Sequence, residues 1–239
     1  MRRDAAGIAG RNGYAMKRFF LSLLGLAVIV VLGTQLWFLG QVLYLRAYNP
    51  QNTAFMERSR QHGTVQYLWR DYDQIATDLK RAVLVSEDAR FVEHIGFDWR
   101  GIRHAIERNR KAGRPVAGGS TITQQLAKNL FLNSDRSYWR KGQEALIALM
   151  LEATMSKQRI LELYLNTAQW GNRIFGAEAA ARHYFGISAA SLGPAQAAQL
   201  AAMLPRPSYY DVRGVTDYVH QRTQWIQNQL PLVALPDRS

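Results

Sequence analysis

The chain contains no cysteine. A disulfide framework and a cysteine-based metal site are therefore excluded. Acids are also scarce: 18 Asp+Glu stand against 30 Lys+Arg in 239 residues, a formal net charge of +12. No internal repeat or low-complexity run interrupts the sequence. Charged residues make up 20% and aromatics 11%, a composition that builds a packed core and excludes global disorder. The length fits one domain plus an appendage.

A local absence is more telling. Phe19 to Leu45, FFLSLLGLAVIVVLGTQLWFLGQVLYL, is 27 residues without a charge. Crossing the hydrocarbon core takes roughly 20 apolar residues, so this run predicts a transmembrane anchor over residues 19–45, long enough to tilt. Ser22, Thr34, Gln35 and Gln41 are its only polar side chains, and Trp37 and Tyr44 suit an interfacial belt. A cleaved signal peptide would have an apolar region of roughly 7–15 residues ending in small residues, which "LYLRAY" is not. Residues 1–18 carry five cations against one acid, which places the N-terminus in the cytoplasm and the remainder outside. The outer part retains +8 of the +12. A tethered basic domain points to an anionic partner such as lipid headgroups or diphosphates, and that compartment argues against nucleic acid.

Residues 46–70 read as a connector, punctuated by Pro50 and Gly63 and ending in a strand-like "TVQYLW". From residue 71 to 239 the pattern is helical almost throughout: about eight helices, almost no strand, one mainly α domain.

Three stretches carry candidate chemistry. In "SEDARFVEHIGFDW", Glu87 and Asp88 end an apolar helix, where the helix dipole disfavours negative charge. Phe91, Phe97 and Trp99 make the surroundings partly apolar. Both effects raise a carboxyl pKa, as general acid–base work at neutral pH requires. A solvated acidic helix end fits the same residues, and His94 reads best as a structural histidine. In "GGSTITQQLAKN", Gly118 and Gly119 permit a sharp turn or close ligand approach, and Ser120 or Thr121 is a natural N-cap. A helix starting there sets Ser120, Gln124 and Lys128 on one face, with Thr121 and Gln125 beside it and Asn129 following. That face and the helix N-terminus suit sugar hydroxyls and phosphate oxygens; a polar capped helix fits equally. In "NSDRSYWRKGQE", Arg140 and Lys141 lie four and three residues before Glu144, with Arg136 a turn earlier. This is a diphosphate clamp with a potential metal ligand, or a surface ion-pair ladder. Glu162 and Asn166 share a face of "KQRILELYLN", as in an ordinary amphipathic helix. The basic run "WRGIRHAIERNRKAGR" best suits a helix lying on anionic lipid.

Taken together, these stretches resemble the bacterial peptidoglycan glycosyltransferase family, family 51 of the glycosyltransferases. "EDARFVEHIGFD" resembles its first motif, "GGSTITQQLAKN" its second almost letter for letter, "RKGQEALIA" its third, "KQRILELYLN" its fourth and "FGAEAAARHYFG" its fifth, with "MLPRPSYYD" after them. The order is the family's own, and the matching region is about Leu68 to Asp211. No Lys-Thr-Gly triplet occurs, so the expected match is to monofunctional members without the transpeptidase domain of class A penicillin-binding proteins.

The resemblance implies a lysozyme-like helical fold and polymerisation of lipid II into β-1,4 glycan strands, releasing undecaprenyl diphosphate with inversion. Glu87 then matches the catalytic base, and Glu144 a second essential glutamate near the diphosphate and a divalent cation, Mg²⁺ being expected. Ser120, Thr121, Gln124, Gln125, Lys128, Arg136, Arg140 and Lys141 match positions that bind donor or diphosphate. Asp88, Phe91, His94, Gly118, Gly119, Asn129 and Asn166 complete the motifs. Lipid II, the growing strand, membrane lipid and other cell-wall synthesis or division proteins are the expected partners. The expected location is the inner membrane with the catalytic domain in the periplasm. A lytic transglycosylase or muramidase is the alternative. It needs no diphosphate clamp, so Lys128, Arg136 and Arg140 argue against it.

Overall fold

A computed structural model describes residues 3–114, 118–133, 135 and 137–237, with the backbone alone for 3–15. Arg136 lies outside the described residues. The chain forms two compact units, residues 1–44 and 45–239.

The first unit belongs to one long helix, α1 (Arg3–Ala47). Its stretch Met16–Ala47 is long and apolar enough to cross a membrane. Phe19, Leu24, Ile29 and Leu36 are all exposed on it, which a helix outside lipid would not tolerate as a continuous surface.

The second unit is helical, as its periodicity predicts. In chain order it holds α2 (Ala54–Arg60), α3 (Thr77–Glu87), α4 (Trp99–Ala112), α5 (Ile122–Phe131) and α6 (Tyr138–Thr154). Then follow α7 (Lys157–Thr167), α8 (Ala177–Phe185), α9 (Pro194–Met203), α10 (Pro207–Arg213) and α11 (Asp217–Gln229). The sequence reading undercounts these helices: α2 and α10 have seven residues each, too short to show a full apolar period.

Two helix groups make the core. Leu79, Ala82, Val83 and Leu84 of α3 are buried against α9, whose Ala197, Ala198, Ala201 and Ala202 let the backbones approach closely. α11 closes this layer on α9 through Val219 and Ile226. In the second group α5 packs on both α6 and α7, burying Ile122, Leu126, Ile147, Leu151, Ile160 and Leu163. Each such side chain contributes about 1.5–3 kcal/mol by leaving water. The two groups place the C-terminus of α3 beside the N-terminus of α5.

The small sheet has three strands, β1 (Gln66–Tyr67), β2 (Gln169–Gly171) and β3 (Ile174–Phe175), in the order β1-β3-β2. β1 runs parallel to β3, pairing Gln66 with Ile174 and Tyr67 with Phe175, and β2 runs antiparallel. Gly176 follows at φ +86°, and a Cβ there would lie 2.8 Å from the Asn166 carbonyl oxygen, so only glycine fits this crossing.

Candidate active site

The site begins with the end of α3. Glu87 is its last residue and is half-buried. It lies between two recesses. One, of about 160 Å³, is lined by Ser86, Glu87, Asp98 and Gly118 to Thr121. The other, of about 440 Å³, is lined by Glu87, Arg108, Ser120, Gln125, Tyr218 and Arg222 among others. A larger recess than the first, about 280 Å³ between Arg90 and Arg103, lies next door, sharing Asp98 with it, but does not include Glu87.

Three side chains set the state of Glu87. Gln125 Nε2 donates to Oε2 at 2.9 Å, Ser86 Oγ donates to Oε1 at 3.3 Å, and Tyr164 Oη donates to Gln125 Oε1 at 2.9 Å. Burial pushes the Glu87 carboxyl up from its ordinary value. The hydrogen bonds from Gln125 and Ser86 and the charge of Arg222 pull it back, and Asp88 adds to the rise. A raised carboxyl in a cleft is the state a general base or acid needs near neutral pH.

Asp88 has different work. It is buried, accepting from His94 Nε2 at 2.8 Å and from the Ile122 N–H at 3.0 Å. It thus ties the segment after α3 to the first turn of α5 and orients His94. Phe91 is buried beside them, with Lys157 Nζ 4.4 Å above its ring.

The glycine-led segment divides into two roles. Thr121 is the N-cap of α5: its hydroxyl accepts from the Gln124 N–H at 3.3 Å and donates to the Gly96 carbonyl at 2.6 Å. Gln124 Oε1 accepts from the Thr121 N–H at 3.1 Å, closing a capping box. Both are buried, so the single face expected for Ser120, Gln124 and Lys128 is not formed. Gln124 turns inward because the cap needs it. Ser120 is exposed, and Lys128 is half-buried. Asn129 is buried. Gly118 has open space where a Cβ would stand and borders both recesses. Gly119 is instead held by packing, with Ile102 of α4 3.2 Å from a Cβ position.

α6 carries the cationic cluster, and its spacing brings the side chains together as the sequence predicts. Glu144 is buried; Arg140 Nη1 donates to it at 2.7 Å and Lys141 Nζ donates to its other oxygen. Lys141 also reaches Ser120 Oγ at 3.3 Å, joining α6 to the glycine segment. Burial lowers the Lys128 ammonium from its ordinary value; Glu144 raises it, and Arg140 and Lys141 lower it further. Two cations on one buried carboxylate with a third nearby leave a net positive cluster, joined to the recesses through Ser120 and suited to phosphate oxygens. Among the described residues no group of three His, Asp or Glu could hold a metal ion, and both oxygens of Glu144 already accept from Arg140 and Lys141.

Asn166 stands apart. Its amide donates to the Arg70 carbonyl and its oxygen accepts the Arg70 N–H, both at 2.8 Å, pinning the connector to α7. Sequence reasoning missed Arg108, Tyr218 and Arg222 on the cleft and Tyr164 behind it. Arg108 lay in the basic run assigned to anionic lipid and Tyr164 in a recognised motif without an assigned role; nothing local marks Tyr218 or Arg222.

A carboxyl raised by burial and bordering two recesses, with a cationic cluster nearby on a helical frame, can serve acid–base chemistry on an anionic ligand. Residues 53–231 match the family model described as Transglycosylase, and the chain belongs to that family, which makes it an enzyme of glycosyl transfer. Over 221 residues it is 64% identical to the biosynthetic peptidoglycan transglycosylase of Alcanivorax borkumensis, covering 92% of this chain and 90% of that one. It is 50% identical over 209 residues to the enzyme of that name from Laribacter hongkongensis (84% and 92% covered). With that from Nitrosospira multiformis it shares 48% over 227 residues (92% and 99% covered).

Proposed function

We propose that this chain is a peptidoglycan glycosyltransferase that polymerises lipid II into β-1,4 glycan strands. The observation that carries the reading is Glu87, half-buried between two recesses with its carboxyl raised by burial. One recess receives the growing strand, still bound to its lipid diphosphate, as donor. The other receives lipid II as acceptor. Glu87 takes the proton from the acceptor 4-hydroxyl as that oxygen attacks the donor's anomeric carbon. The new C–O bond forms as the bond to the diphosphate breaks, and the electron pair leaves on the diphosphate oxygen. A single displacement of this kind turns an α-linked lipid diphosphate into a β-linked strand.

The leaving group gains negative charge, so fixed cations at its site lower the barrier. Lys128, Arg140 and Lys141 are the cations assigned to it, and Arg136 matches the same role by motif. A well-placed donor is worth about 3–4 kcal/mol in such a transition state. Arg140 and Lys141 occupy both oxygens of Glu144, so Mg²⁺ would be held there only by displacing one of them, its shell completed by substrate phosphates and water. When bound, it would supply charge neutralisation at the diphosphate.

The apolar helix supports membrane anchoring, with its cationic N-terminal flank on the cytoplasmic side and the domain in the periplasm at the inner membrane. Tethering concentrates the cleft where the lipid tails sit. The reading is tested with labelled lipid II and purified full-length chain, with and without Mg²⁺, reading product length. Long strands are expected, and release of muropeptides from intact sacculi without any polymerisation would replace this reading with a hydrolase.

A further inference from the structure

Tyr164 of α7 is 2% exposed and cannot touch substrate, yet its hydroxyl is directed at the cleft through one intermediary. The donor rules fix that chain of contacts. An ionised carboxylate only accepts, so Gln125 must present its NH₂ to Glu87. Its carbonyl oxygen then faces Tyr164, so the phenol must donate. The two bonds, each 2.9 Å, admit one amide orientation with Glu87 ionised.

We propose that Tyr164 is a positioning residue for the base: by fixing the Gln125 amide, it holds the Glu87 carboxylate ionised and aimed into the cleft. The inference rests on the reading of Glu87 as the base. Two observations support it. Burial pushes the Tyr164 phenol well above its ordinary value, with Glu87 and Asp88 adding to the rise, so it remains a donor at every working pH. The neighbouring groups do not replace it. Ser86 reaches only Oε1, at 3.3 Å. Around Glu87 stand Asp88 on its own strand of chain, Lys128 on α5, Arg108 on α4, and Tyr218 and Arg222 on α11. Among the described residues, none of these hydrogen-bonds to the Gln125 amide or to Oε2.

The sign of the effect follows. An amide donor favours the charged carboxylate, so a free or flipped amide raises the Glu87 pKa. Base-dependent turnover then fails at a higher pH. The test uses full-length protein and labelled lipid II, with kcat and KM measured across pH, and a ¹³C titration of the Glu87 carboxyl assigned by its loss in Glu87→Gln. Tyr164→Phe is expected to move the acid limb up by about one pH unit, lower kcat roughly tenfold at pH values below the parent limb, and leave KM near its value. Gln125→Leu should give the same shift, and the double variant no further one. A purely structural tyrosine would lower the yield of folded enzyme without moving the limb, so an unchanged limb and titration overturn the proposal. Where Tyr164→Phe does not fold, Gln125→Leu decides by the same criterion. If Glu87→Gln polymerises normally, the base reading fails, and the ¹³C titration still reports separately whether Tyr164 controls the carboxyl.

Discussion

Thr121 Oγ1 lies 2.6 Å from the carbonyl oxygen of Gly96 and donates to it. That bond commits the Thr121 hydroxyl to the fold although the residue lines the smaller recess, while Ser120 beside it is exposed and reaches Lys141. The two hydroxyls therefore separate by experiment. Thr121→Ala removes a cap and a buried hydrogen bond, and should destabilise the domain by about 2 kcal/mol in urea unfolding. Ser120→Ala should change stability by less than about 0.5 kcal/mol yet raise KM for lipid II. Equal stability losses in both would contradict the division.

Lys128 gives a prediction on the alkaline side. Burial lowers its pKa, so its charge is lost as pH rises through a value below that of a free lysine. Affinity for diphosphate-containing substrate should fall over that range. Lys128→Ala should weaken diphosphate substrates far more than free glycan and flatten the alkaline fall. An alkaline limb that survives unchanged in the variant would assign it to another group.

Glu178 gives a prediction on stability in acid. It is fully buried within α8. Burial alone would raise its carboxyl, but the Ala189 N–H, Arg70, Arg182 and Ser188 together hold it at about 2, against an ordinary 4.5. A depressed pKa means that the stabilisation is complete above about pH 4.5 and is lost as pH falls through about 2. Glu178→Gln should cost about 2–3 kcal/mol at pH 7 and reduce the acid sensitivity of unfolding in that window. A variant as stable as the parent at pH 7 would show that the cluster holds nothing together.

The apolar N-terminal helix and the other long helices were legible because charge absence and helical periodicity are local properties. Arg140, Lys141 and Glu144 met as expected for the same reason: a helix fixes what lies three and four residues away. Gln124 misled because the pattern Thr-x-x-Gln serves a capping box as readily as a ligand face, and burial decides between them. The Tyr164–Gln125 contact joins residues 39 apart, and Arg222 reaches the Ser86 carbonyl across 136. Only the packing of α3, α5, α7 and α11 brings these together, and no spacing in a single sequence encodes it. β1 falls inside the strand-like "TVQYLW", whereas β2 and β3, of three and two residues, were too short for an alternating pattern to show.

The central claim is that Glu87 is the base of strand polymerisation. The most direct test is labelled lipid II incubated with purified full-length Glu87→Gln beside the parent enzyme, with product length and substrate binding read in parallel. The account predicts that lipid II still binds while strand synthesis falls by roughly 10²–10⁴-fold. Strands of parental length made at the parental rate would contradict it.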